Sequence, residues 1–327
     1  MVKVRGLVLS TAFLAACVVG SPAAHAAAAC SWVTTDLPVP AGITVKDVLA
    51  ASDSGEWVLG AGDDSEFRNG IFAWHHGVPV GGLVRQEAGH ADVNNSGVLM
   101  SNDFGRAYRI SGGVRETLQP ASGTSEPWAQ DINNAGDVVG LSGRMSMYGP
   151  LLVWPAGSTT PRELPNTRNG LVRFVKGIDD AGNVVAVEYG PLNQRFSHVW
   201  DRDGNQTRLE TLPGDYSAEV EVIRDGRIFG KSEHQDWNQP KTVVEWGLDG
   251  KIVRTFPEFH NPLDVNAAGH VLGQVEGEGA RNAVWRAPGE LDTPPGLWAS
   301  DLADNGDVYG VEQDGSFYGK PRHARCG

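Results

Sequence analysis

Seven copies of one short pattern, spaced at nearly even intervals, restrict this chain more than any other feature. DVNNSGVLMS from 92, DINNAGDVVG from 131, DVNAAGHVLG from 264 and DLADNGDVYG from 301 are its clearest forms. Its glycine falls at Gly55, Gly97, Gly136, Gly182, Gly226, Gly269 and Gly306, with gaps of 42, 39, 46, 44, 43 and 37 residues. The residue four before each glycine is apolar, and after it comes a β-rich run such as DVVG, NVVA or RIFG that ends in a small residue. A second run carries an aromatic (Trp74, Tyr108, Trp154, Trp200, Trp246, Trp285 and Tyr318), and a third ends near proline, as in RELP and ETLP. Each unit thus supplies four short strands in about 42 residues, the period of propeller blades. A lone blade cannot bury both faces, whereas seven packed radially can. The predicted fold is all-β, a seven-bladed β-propeller of four-stranded blades.

The pattern itself resembles a mineral-binding loop, but its occupancy argues for scaffold. Counting back from each glycine, the aspartate position holds Ala50, Asp92, Asp131, Gly177, Glu221, Asp264 and Asp301. Ligation would not tolerate three losses in seven. The motif is read instead as the hairpin between innermost strand A and strand B, with glycine at positive φ and Asp or Asn side chains bonding turn amides. DRDGN at 201 imitates a calcium loop, yet Leu212 stands at its twelfth position where glutamate is needed. The adjacent His75 and His76 of HHG are expected on opposite faces of a strand, so no metal site is predicted.

The first 26 residues, with Lys3 and Arg5 ahead of an apolar stretch and a small-residue run, read as a signal peptide cleaved after Ala26, leaving 27–327 as one propeller domain. The rival LAAC reading would make Cys17 the lipidated anchor of a lipoprotein. A secreted, extracellular protein without a transmembrane segment is expected. The net charge of −13 becomes −15 without the signal, and no basic stripe exists, which excludes a nucleic-acid partner. The mature chain keeps two cysteines, Cys30 and Cys326, one at each end. SWVTTDLPVP at 31–40 precedes the first A strand as RELP and ETLP precede later ones, while the last unit lacks its fourth strand. The N-terminal strand is therefore predicted to complete the last blade, setting Cys30 beside Cys326 in a disulfide.

The combination of D-[IV]-N-x-x-G-x-V-V-G with x-V-W-x-x-G resembles the HAF-type extracellular repeat of secreted bacterial proteins, over roughly residues 45 to 320. The His-Ala-Phe triplet itself is absent, SHVW at 197 being nearest, and Ile223 and Arg224 replace the usual Asn pair. The resemblance implies a repeat scaffold and no shared catalytic residues or cofactor.

No G-x-S-x-G, H-E-x-x-H or phosphate-cradling glycine loop is present. EHQDW at 233–237 reads as an exposed polar loop. The sequence favours a monomeric, non-enzymatic binding module for an extracellular glycan or protein/peptide; the alternative is a polysaccharide- or cell-wall-active hydrolase or lyase. Variable D-to-A and B-to-C connections share one face of a propeller, and recognition is expected there. Those connections carry Trp128, Trp298, His90, Arg173, Tyr216 and His260, with Tyr148 and Trp237 from B-to-C loops. Rings beside polar groups suit sugar or peptide stacking, and at least one of Trp128 and Trp298 is expected to line an exposed depression.

Overall fold

The computed structural model describes residues 30–66, 68–85, 90–143, 149–167, 172–236, 239, 241–275, 281–313 and 319–327. The predicted signal peptide, Tyr148, Trp237 and Tyr318 lie outside these. Seven four-stranded antiparallel sheets form the blades of a propeller. Blades 1 to 6 cover 43–85, 91–118, 127–163, 172–208, 217–256 and 261–292, each in sequence order from strand A to strand D. Blade 7 takes strands A to C from 298–326 and its strand D from Trp32–Asp36. That N-terminal strand pairs antiparallel with Gly319–Cys326, placing Trp32 opposite Cys326. Cys30 and Cys326 are joined with their Cα atoms 5.4 Å apart. Among the described residues no helix is long and apolar enough to cross a membrane.

The interior is divided as a propeller requires. Separate apolar clusters fill the spaces between neighbouring blades: Val139, Val153 and Val175, for example, join blades 3 and 4, and Leu37, Val58 and Tyr309 join blades 7 and 1. The strand C tryptophans Trp74, Trp154, Trp200 and Trp246 are fully buried. Their indole N–H groups donate to the carbonyls of Pro38, Gln119, Pro165 and Glu210, at 2.7, 2.8, 3.2 and 2.8 Å. Each acceptor lies just beyond strand D of the preceding blade, so one residue type packs the gap and also bonds across it. In blades 2 and 7 the register corrects the expected aromatic. Val138 opposite Trp154 corresponds to Leu99 opposite Ile110 and Val308 opposite Ala324, leaving Tyr108 two residues out of line and Tyr318 outside the described residues.

The hairpin glycines take φ between 71° and 88°, as the motif requires. Strand A carries a β-bulge one residue before the aspartate position in blades 1 and 3 to 7, skipping Leu49, Gln130, Lys176, Glu221, Leu263 and Ser300 in the pairing. This explains the small residue ending the motif. Gly140 sits opposite the bulge, and a Cβ there would lie 2.0 Å from the carbonyl oxygen of Trp128. The register also corrects blade 5. Its hairpin is one residue shorter, a tight Asp225–Gly226 turn with φ 49° and 72°, so Val222 rather than Glu221 occupies the aspartate position. A further correction concerns the paired histidines. His75 ends its strand, but His76 has left it for a turn at φ 50°, and the two rings lie 4.2 Å apart instead of on opposite faces.

Candidate functional site

The A strands enclose an axial cavity of about 370 Å³, within the size range of small-ligand sites. Because strand A runs from the connection face to the hairpin face, its residues lie in tiers. The bulge residues form the upper tier, with His90 in blade 2, and the aspartate positions form the middle one. The hairpin turns close the bottom.

The middle and lower tiers hold neighbouring blades together. Asp92, Asp131 and Asp264 each accept the next backbone N–H of their own strand at 2.7 Å. Their second oxygens accept N–H groups of the following blade, from Ile132 at 3.3 Å, Ile178 at 2.7 Å and Leu302 at 2.8 Å. One tier down, Asn94, Asn133 and Asn266 donate to the carbonyls of Asn133, Asp179 and Ala303 in the following blade, at 3.1, 2.9 and 3.2 Å. Their Oδ1 atoms accept amides of their own turns. Turn bonding was expected; the bond to the neighbouring blade was not. In low dielectric these charged acceptors are costly. Burial, reinforced by neighbouring carboxylates, holds Asp92 and Asp301 well above the usual carboxylate range. Burial also pushes Asp264 up to about 6, against the opposing pull of the Leu302 N–H and Arg224.

Arg224 bridges the hairpin end. Standing where blade 3 has Asn133, its guanidinium reaches across the axis to Asp53 of blade 1 and, at 2.7 Å, Asp304 of blade 7. Asn134 of blade 3 adds a bond to Asp53 at 2.6 Å. Burial raises Asp53 to about 7 even beside Arg224. Four blades are thereby tied across the axis at the hairpin end, and the cavity above this bridge is termed the cup.

The upper tier is chemically uneven. Lys176 and Glu221 form an ion pair at 2.5 Å, and Lys231 approaches Glu221 to 2.8 Å from the other side. Burial raises the Glu221 carboxyl, but the two lysines outweigh it and hold it below the usual range. Gln130 stands 3.2 Å from the His90 imidazole, while on the remaining arc Leu49 and Leu263 flank Ser300.

Of the residues singled out from the sequence, His90 is exposed and lines the cup. Trp128 is half-buried, meeting the His90 ring edge-on at 5.7 Å and packing on the cluster between blades 3 and 4. Trp298 is 43 % exposed at the start of strand A of blade 7. Tyr216 is half-buried with its hydroxyl 3.4 Å from the carbonyl of Pro191. His260 is exposed, its backbone N–H donating to Gln274. Arg173 is not on the rim: it is fully buried, paired with Glu188 at 2.6 Å and donating to the carbonyl of Thr167. The structure thus brings His90 and Trp128 together and adds Gln130, Lys176, Glu221 and Arg224, which sequence reasoning missed. Their signal was position: Gln130, Lys176 and Glu221 are the bulged residues directly before the aspartate position, and Arg224 breaks the Asn pattern.

No protein-family model matches the sequence, and no curated protein matches it. Solved structures match the fold. One is YCF48 from Cyanidioschyzon merolae, 12 % identical, with a TM-score of 0.53 over 90 % of this chain and 98 % of that one. Another is the β-propeller domain of the Trilobed protease from Pyrococcus furiosus, 14 % identical, with a TM-score of 0.56 over 85 % and 97 %. The extracellular domain of a putative one-component system from B. thetaiotaomicron is 11 % identical, with a TM-score of 0.53 over 88 % of this chain and 39 % of that one. The Pyrococcus domain is described as having an open velcro topology, whereas here the N-terminal strand closes blade 7. At these identities the likeness is one of architecture: this chain is a seven-bladed β-propeller.

Proposed function

We propose that the chain is an exported, non-enzymatic binding module of the HAF-repeat type that receives the polar end of an extracellular glycan or peptide at the mouth of its axial cup. The observation that carries this reading is the asymmetry of the channel. Its hairpin end is bridged by Arg224, Asp53, Asn134 and Asp304, and its connection face presents an imidazole, an amide, an ammonium and a carboxylate around a cavity of about 370 Å³. Such groups recognise hydroxyls, amides and chain termini by hydrogen bonding, and the half-exposed Trp298 offers a flat ring on the same face. The buried aspartates are committed to backbone N–H groups, which favours a scaffolding role for them.

The test is a glycan array together with peptide pull-down on the chain from residue 27, followed by titration of any ligand found. Lys176→Met and Trp298→Ala are expected to weaken binding about tenfold while leaving the melting temperature within a few degrees. Undiminished binding by both variants would place the site elsewhere.

A further inference from the structure

On the opposite face, a second site is built from residues the cup does not use. Glu56, His75 and His76 bring a carboxylate oxygen and two imidazole nitrogens within 4.8 Å of one another, the one such group of three among the described residues. We propose that these three side chains bind a divalent transition ion of the zinc class on the hairpin face of blade 1.

Three features of the backbone and packing support the assignment. Glu56 lies in the A–B turn, His75 ends strand C and His76 begins the C–D turn, so the ligands come from two adjacent hairpins. Those hairpins are joined by a bond from the His76 N–H to the Glu56 carbonyl at 2.7 Å. The His75 ring is stacked on Trp57 at 4.2 Å and 19°, and Trp57 is wedged against the turn of blade 2, where a Cβ on Gly97 would lie 2.5 Å from the indole. His76 adopts φ 50° and Gly77 φ 74°, a two-residue turn whose first position is usually Asn, Asp or Gly. A histidine there forgoes the favoured residue and gains a ring that meets His75.

The donor set selects the ion. Two imidazoles and a carboxylate are a zinc-type set, while calcium and magnesium prefer oxygen alone. With arms of about 2.1 Å, donors in a tetrahedral shell sit about 3.4 Å apart. The exposed Glu56 and His76 side chains need only small rotations to reach that spacing. Solvent occupies the remaining positions, leaving the ion open on one side.

Isothermal titration of zinc chloride into the untagged protein is expected to show one saturable site. His76→Asn, which tolerates the turn, and Glu56→Gln are each expected to weaken it at least about tenfold, while His260→Asn on the other face leaves it unchanged. Co²⁺ added in place of zinc is expected to give visible absorption bands that need at least about tenfold more metal to develop in both variants. The proposal is overturned if no saturable heat appears with the folded wild-type protein, or if both variants, folded by circular dichroism, bind as tightly as wild type.

Discussion

Near the axis, single polar side chains stitch neighbouring blades together. Asp131 accepts Ile132 in its own strand and Ile178 in the next blade, so its loss leaves a buried N–H without a partner. Asp131→Ala is expected to cost about 1–3 kcal/mol in urea denaturation. Asp201→Ala, which removes only bonds within the exposed turn to Asn205, is expected to cost less, below about 1 kcal/mol. Equal costs would mean that the link between blades adds nothing. At this scale the sequence was half legible. It marked the aspartates and asparagines as structural, because three of the seven copies were read as lacking aspartate, yet it could not show that the partner of Asp131 lies 47 residues away in sequence. Counting back from glycine also misplaced Glu221, since a hairpin shortened by one residue shifts the count without disturbing the glycine.

Elements were the most legible level, because the apolar position, the turn glycine and the strand C tryptophan repeat together and each is demanded by packing. The bulge in strand A was not read, although its trace was visible in the small residue that closes each motif. Gly140→Ala is expected to destabilise the protein by about 3 kcal/mol or more, because the new methyl would meet the Trp128 carbonyl and neither strand can retreat. Trp154→Phe is expected to cost about 1 kcal/mol by orphaning the Gln119 carbonyl. Denaturation midpoints check both, and a neutral Gly140→Ala would mean that the bulge relaxes. The bulges also account for the sequence missing the cup. They turn the residue before the aspartate position toward the axis, so that Lys176 and Glu221 meet there, and no period-two reading of the strand anticipates that.

The whole ring should respond to pH through its axis. A carboxyl whose folded pKa is raised is fully compatible with the folded state while protonated. The penalty grows as pH rises from the unfolded value of about 3.9 through the folded one, because the folded state then retains more protons than the unfolded state. For Asp264 and Asp53, raised to about 6 and about 7, stability should therefore fall between about pH 4 and pH 7, and Asp92 and Asp301 act in the same direction. Urea midpoints are expected to be higher at pH 5 than at pH 8; a flat or rising profile would contradict these protonation states. Reduction of the bridge between Cys30 and Cys326 removes a constraint spanning 296 residues, for which chain entropy gives on the order of 5 kcal/mol, and a lowered melting temperature after reduction checks it.

Closure of blade 7 by the two ends of the chain also sets a timetable. The strand Trp32–Asp36 is synthesised before the remainder of the ring, and its partner, Gly319–Cys326, after almost all of it. At ordinary synthesis rates about 15–60 s separate the two. For that interval the earliest strand has no edge to pair with, and the faces of blades 1 and 6 that meet blade 7, both apolar, have no partner. The ring therefore cannot shut until Gly319–Cys326 has been made, and every earlier stage of the chain leaves a seam open.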